Sequence, residues 1–114
     1  MITRLHRFHG LGSLSFVYKK GSTVRGPLLA LRFVPNSRQS EYRVAVVVSR
    51  KVHKSAVVRN RIRRRLFAVI REELPNDLGP FDLVFTVFSD RVAEVKSDEL
   101  RQAVVSLLQK AGLS

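Results

Sequence analysis

The chain has no cysteine. That excludes a disulfide framework and a zinc–cysteine site. It also lacks any apolar run near the ~20 residues that a membrane span requires. The longest, Val44 to Val48, has the length of a strand. Arg4 and Arg7 are not followed by a hydrophobic segment, so no secretory signal is expected. No membrane partner is expected either, and the expected location is the cytoplasm. Acid is the scarcest resource: 9 Asp and Glu stand against 21 Lys and Arg, leaving a net charge of +12. Such an excess on one small domain repels itself and points to a polyanionic partner, nucleic acid ahead of an anionic membrane surface. Lysine is confined to positions 19, 20, 51, 54, 96 and 110, so most of the charge is arginine. Guanidinium forks phosphate and stacks on bases, which favours structured nucleic acid.

What is present suffices for one core. The chain has 114 residues, 45% of them hydrophobic, which fits one domain over residues 1–114. Gly10 and Gly12 break any early helix, so residues 1–12 read as an irregular arm. Ser13 then caps a short helix over about residues 13–20, with Leu14, Val17 and Tyr18 on one side and Gly21 just past its end. Leu28 to Val34 reads as a strand between Pro27 and Pro35, and Thr23 to Arg25 as a short extra one. Tyr42 to Val48 is rich in β-branched residues and reads as a central strand, forming an antiparallel hairpin with the preceding run through a polar turn at 36–41.

Ser55 is a candidate cap for a helix that Pro75 stops. Phe81 to Phe88 alternates in a way that suits a strand buried on both faces. A last helix runs from about Ser97 to Ala111, with Ser97 as its cap and Gly112 beyond. The expected fold is α+β, a two-layer sandwich in the order α-β-β-β-α-β-α.

The segment Arg59-Asn60-Arg61-Ile62-Arg63-Arg64-Arg65 holds five arginines in seven residues. On a helix, Val58, Ile62, Leu66, Val69 and Ile70 share an arc of about 120°. Asn60, Arg63, Arg64 and Arg71 occupy the opposite face, Arg61 and Arg65 one border, and Arg59 the other. Phe67 falls outside the apolar stripe. Like charges at i,i+4 destabilise a helix, and no acid lies in this stretch to offset them. A solvated face normally mixes both signs. An unmixed arginine face therefore reads as a nucleic-acid contact, without distinguishing RNA from DNA. The preceding turn, Ser49 to Lys54, places Arg50, Lys51 and Lys54 beside the backbone amides of a helix N-terminus, a ready phosphate site.

The run from Val46-Val47-Val48-Ser49-Arg50-Lys51 through Ala56-Val57-Val58-Arg59-Asn60-Arg61-Ile62-Arg63-Arg64 resembles the signature of the bacterial ribonuclease P protein subunit. The resemblance extends along the whole chain. It implies a ribosomal-protein-like sandwich with a left-handed β-α-β crossover, against the usual right-handed rule. It implies an auxiliary subunit of an RNA-based endoribonuclease, with no catalytic residue of its own. The implied partners are a catalytic RNA and precursor tRNA, whose 5′ leader is removed; no DNA partner is expected. No cofactor is expected on the protein's side chains alone. Magnesium is expected in the holoenzyme, held mainly by RNA.

Matched residue by residue, Arg50, Lys51, Arg59, Asn60, Arg61, Arg63 and Arg64 fall on the family's motif and are implied to contact the catalytic RNA. Lys54 and Arg65 extend the same patch. Leu14 and Tyr18 fall on two positions that are usually Phe in the family's leader-binding cleft, and Arg32 on one where a strand aromatic is common. Guanidinium can also stack on a base. His53 and Ala45 stand where the family usually has Gly.

Two other functions compete. A structural RNA-binding protein of ribosomal type shares the charge and architecture but lacks the Val-Ser-x-Lys to Arg-Asn-Arg block. A metal-independent nuclease would use His6, His9 or His53, yet His6 and His9 lie in a Gly-flanked arm with no acid at motif spacing. Asp77, Asp82 and Asp90 are scattered and read as turn or strand-end residues, and no protein metal site is expected.

Overall fold

The computed structural model describes residues 17–36, 41–75 and 77–113. The expected arm at 1–12, Leu14 and most of the polar turn at 36–41 lie outside them. Helix α1 is described over residues 17–20. Strands β1 (Ser22–Arg25), β2 (Leu29–Pro35) and β3 (Arg43–Val47) follow, then α2 (Ala56–Glu73), β4 (Phe81–Val87), a 3-10 turn at Asp90–Ala93, and α3 (Ser97–Ala111). The order of helices and strands is the expected one.

The four strands form one sheet in the order β1-β2-β4-β3. β1 and β2 are an antiparallel hairpin, β4 runs antiparallel to β2, and β3 runs parallel to β4. The expected hairpin between β2 and the Tyr42–Val48 run does not form. β4 inserts between them, and β3 is an edge strand rather than a central one. Burial explains the exchange. Leu83, Val84, Phe85 and Val87 are all buried, so β4 has both faces covered, whereas Arg43, Ala45 and Val47 of β3 stay partly exposed. The strand that buries two apolar faces takes the centre.

Alternation along the strands sorts the two faces. Leu29 and Leu31 of β2, Val44 and Val46 of β3, and Leu83, Phe85 and Val87 of β4 pack under α2 and α3 in the main core. On the opposite face Val34 and Val84 meet Val17 of α1, with Ala45 and Val47 beside them. The sheet is thus covered by two helices on one side and by α1 on part of the other.

Local chemistry sets the helix ends. Ser55 caps α2 through its side chain, which accepts from the Val58 amide. Leu74 ends α2 ahead of Pro75, whose ring disfavours helical backbone in the residue before it. The expected cap of α3 is corrected: Ser97 is the first helical residue, and Lys96 is the cap with no side-chain bond. Asp98 and Glu99 still lie in the first turn, where the helix dipole favours acids. Gly112 closes α3 at φ 74°, a conformation that suits glycine.

Candidate nucleic-acid interface

The cationic surface starts in the loop between β3 and α2. Val52 N donates to Ser49 O at 3.0 Å and closes a turn. Ser55 N donates to the His53 Nδ1 at 3.0 Å, so the imidazole of His53 acts as an acceptor inside the loop. Arg59 reaches back from the first turns of α2, and its Nη1 donates to the carbonyls of His53 and Lys54 at 2.9 and 2.8 Å. The loop is thereby fixed before any ligand arrives. Arg50, Lys51 and Lys54 are exposed around it, and the first turn of α2 contains no acid.

Along α2 the apolar arc is wider than the sequence stripe. Ile62, Leu66, Val69 and Ile70 are buried as expected, and Phe67 joins them with 8% exposure. Phe67 is therefore a packing residue of the main core. The five arginines divide into two groups. Arg59 holds the loop, and Arg65 spans to the next element, its Nη1 donating to Val92 O at 2.7 Å and its Nη2 to Val95 O at 2.5 Å. Arg63 Nη1 donates to Asn60 Oδ1 at 2.6 Å, which leaves the amide nitrogen of the exposed Asn60 available as a donor. Arg61 and Arg64 are exposed and make no hydrogen bond or ion pair among the described residues. Arg61, at the border of the face by helical phase, is thus exposed like Arg64.

Acid is kept away from this face by being used elsewhere. Glu72 and Glu73 at the far end of α2 both bind Arg101 of α3, at 2.6 and 2.7 Å. These contacts raise the Arg101 pKa further above its ordinary value, chiefly through the hydrogen bonds to Glu72 and Glu73. Asp82 is fully buried and accepts a bidentate pair from Arg43 at 3.0 and 2.9 Å, with Asn36 Nδ2 at 2.8 Å. From sequence alone Asp82 reads as a turn or strand-end residue with neither partner evident; it lies instead within β4. The available signal was an acid within a strand whose neighbours are buried, since such a charge needs a counterion.

The other face of the sheet carries the second set of predicted residues. Tyr18 and Arg32 are brought together. Arg32 Nη1 donates to Tyr18 O at 2.7 Å, its Nε donates to Thr23 Oγ1 at 3.0 Å, and its Cζ lies 5.2 Å from the Tyr18 ring centroid. Tyr18 stays 44% exposed, so the residue offers accessible surface beside a guanidinium. Gly21 makes this approach feasible: a Cβ there would lie 2.5 Å from Val17 O and 3.0 Å from Arg32 Cγ. Leu14, the third residue assigned to this cleft, lies outside the described residues.

Among the described residues no group of three or more His, Cys, Asp or Glu could hold a metal ion. No described helix is long and apolar enough to cross a membrane.

Comparison with known proteins agrees with this architecture. The family model described as Ribonuclease P matches residues 2–112. The ribonuclease P protein component of Synechococcus sp. strain RCC307 is 34% identical over 125 aligned positions, covering 100% of this chain and 98% of that protein. The component from Chloroflexus aurantiacus is 36% identical over 97 positions, covering 85% of this chain and 70% of its own length. Among solved structures, the Staphylococcus aureus RNase P protein superposes with a TM-score of 0.82 at 18% identity, covering 95% of this chain and 96% of that one. The Thermotoga maritima protein gives 0.72 at 21% identity, with 85% and 89% covered. With the family model spanning nearly its full length and relatives above 30% identity, this chain belongs to the ribonuclease P protein component family.

Proposed function

We propose that this protein is the auxiliary subunit of ribonuclease P, binding the catalytic RNA through α2 and its preceding loop and the 5′ leader of precursor tRNA on the opposite sheet face. The observation that carries the first half is the division of the arginines. Arg59 and Arg65 stabilise the fold, while Arg61 and Arg64 stand exposed with no ion pair among the described residues, on the helix that follows the exposed Arg50, Lys51 and Lys54. Unmatched cations on a rigid element destabilise a free protein and are compensated when phosphates neutralise them. The second half rests on Tyr18 and Arg32, an exposed ring and a guanidinium that suit stacking on unpaired bases.

The donor set does not fit a divalent ion. The exposed groups at the arginine face are cationic, and the neighbouring carboxylates of Glu72 and Glu73 are bound to Arg101. Magnesium in the holoenzyme would be held mainly by the RNA, where it would supply charge stabilisation for phosphodiester hydrolysis. The protein's own residues bind and position. The RNA partner and the precursor tRNA put the working complex in the cytoplasm.

Reconstitution tests this reading. The purified protein should cleave no precursor tRNA alone. With its cognate RNA it should stimulate cleavage at low magnesium. Absence of stimulation there overturns the proposal, and cleavage by the protein alone would favour an intrinsic nuclease instead.

A further inference from the structure

A second guanidinium–ring pair stands on the sheet. Arg25 Cζ lies 5.5 Å from the centroid of the Phe88 ring. Strand alternation places this pair on the same face as Tyr18 and Arg32. In β1, Val24 packs against the main core, so Thr23 and Arg25 point the other way. In β4, Leu83, Phe85 and Val87 face the main core while Val84 faces α1, and Phe88 continues the second set.

Register fixes the spacing. Thr23 is opposite Arg32 and Arg25 is opposite Ala30. The backbone rows of Arg32 and Arg25 are thus two residues apart, about 7 Å along the strands, and Phe88, one past the Leu29–Val87 pair, lies four residues from the Arg32–Val84 pair, about 13 Å. An extended single strand covers these distances with one to two nucleotides. The far side of the Arg25–Phe88 pair leads to the cationic loop. Val47 pairs with Thr86 in parallel register, so Ser49 falls level with Phe88, and Arg50 and Lys51 come next.

Packing does not account for Phe88. It belongs to neither core cluster and keeps 45% of its surface exposed, as one of three large apolar side chains exposed among the described residues. Its amide is fixed by Leu28 O at 2.9 Å, which holds the residue at the end of the sheet. Lys110 Nζ of α3 donates to Arg25 O at 3.0 Å and ties down the backbone that carries Arg25. An exposed ring with a guanidinium over it, within a basic surface, matches the chemistry of single-stranded nucleic-acid sites, where aromatic faces take bases and cations track the backbone.

We infer that Arg25 and Phe88 form a second stacking platform for an unpaired RNA nucleotide, contiguous with Tyr18 and Arg32 and leading to the Arg50–Lys51 loop. This rests on the reading of that sheet face as the leader-binding surface. It adds that the face has a second station at Arg25 and Phe88, which contributes only to substrates whose leader is long enough to reach it.

The test uses the full chain reconstituted with its cognate RNA, and precursor tRNAs with leaders of graded length. Phe88→Leu keeps an apolar side chain and removes the aromatic face. Wild-type holoenzyme should gain affinity as the leader lengthens. Phe88→Leu should bind a long-leader substrate about tenfold more weakly and a one-nucleotide-leader substrate as wild type does. Arg25→Gln should act in the same direction and less strongly. Wild-type affinity that rises with leader length, matched by Phe88→Leu at every length, overturns the platform and leaves the leader reading standing. Wild-type affinity that ignores leader length overturns that reading and the platform with it. A measurement free of any substitution adds a second check. Leaders carrying one 4-thiouridine at successive positions should crosslink to Phe88 in the wild-type holoenzyme at one of them, and crosslinks that map only elsewhere overturn the platform.

Discussion

Arg59 donates to the backbone carbonyl of His53 at 2.9 Å, and the same Nη1 reaches Lys54 O at 2.8 Å. An arginine in the centre of a cationic motif thus holds the loop in front of its own helix. The adjoining Ser55 amide bonds to the His53 ring, and the Ser55 hydroxyl caps the helix. Loop and helix N-terminus are one hydrogen-bonded unit, which positions Arg50, Lys51 and Lys54 relative to Arg61 and Arg64.

Replacing Arg59 should therefore affect folding as well as binding. Arg59→Gln loses charge-assisted bonds at a part-exposed site, which costs about 1 kcal/mol. Urea denaturation should show a lowered midpoint at unchanged slope. Amide exchange over residues 50–55 should quicken. An unchanged midpoint with unchanged exchange would remove Arg59 from this structural role.

The Asp82 carboxylate is fully buried between Arg43 and Asn36. Asp82→Asn removes the carboxylate charge that the Arg43 guanidinium, 14% exposed, binds through two hydrogen bonds. Breaking one side of such a pair costs about 3 kcal/mol, while replacing both partners by apolar residues of similar size is often neutral. Thermal melts of Asp82→Asn and of the double variant Arg43→Met/Asp82→Leu separate these cases. Equal destabilisation by both would show that the apolar pair fails to fit the site.

Gly21 joins α1 to β1 where three chain segments crowd together. A Cβ there meets two backbone oxygens, Val17 O at 2.5 Å and Phe33 O at 3.1 Å, which cannot swing aside as a side chain would. Gly21→Ala should cost about 1–3 kcal/mol and push Tyr18 off Arg32. The chemical shifts of the Tyr18 ring should move along with the loss of stability. A fully stable Gly21→Ala protein with an unshifted ring would contradict the close approach.

Much of this was legible in the residues. The spans of α2 and α3, the Ser55 cap, the Gly112 terminus and the doubly buried β4 follow from periodicity and from residue types with known end preferences. The strand order was not legible. Alternation tells which face a side chain takes but not which strand lies beside it, and β3 and β4 are joined only after an 18-residue helix. The duties of Arg59 and Arg65 were hidden for a similar reason. Arg65 is held by carbonyls at Val92 and Val95, exposed by a 3-10 turn that no simple pattern announced. Phe67 was misplaced because a helix beneath both a sheet and a second helix buries more than a narrow stripe. The Tyr18–Arg32 pair was legible only through the family resemblance, since the two residues belong to different elements.

The central claim is that α2 presents Arg61 and Arg64 to RNA phosphates. The direct measurement is the salt dependence of binding between the full-length protein and its cognate catalytic RNA, for wild type and for Arg61→Gln, Arg64→Gln and their combination. Each variant should melt at or slightly above the wild-type temperature, because like-charge repulsion within α2 is relieved. The slope of log affinity against log salt should fall by about 0.7–0.9 for each arginine removed. An unchanged slope in the double variant would contradict the account.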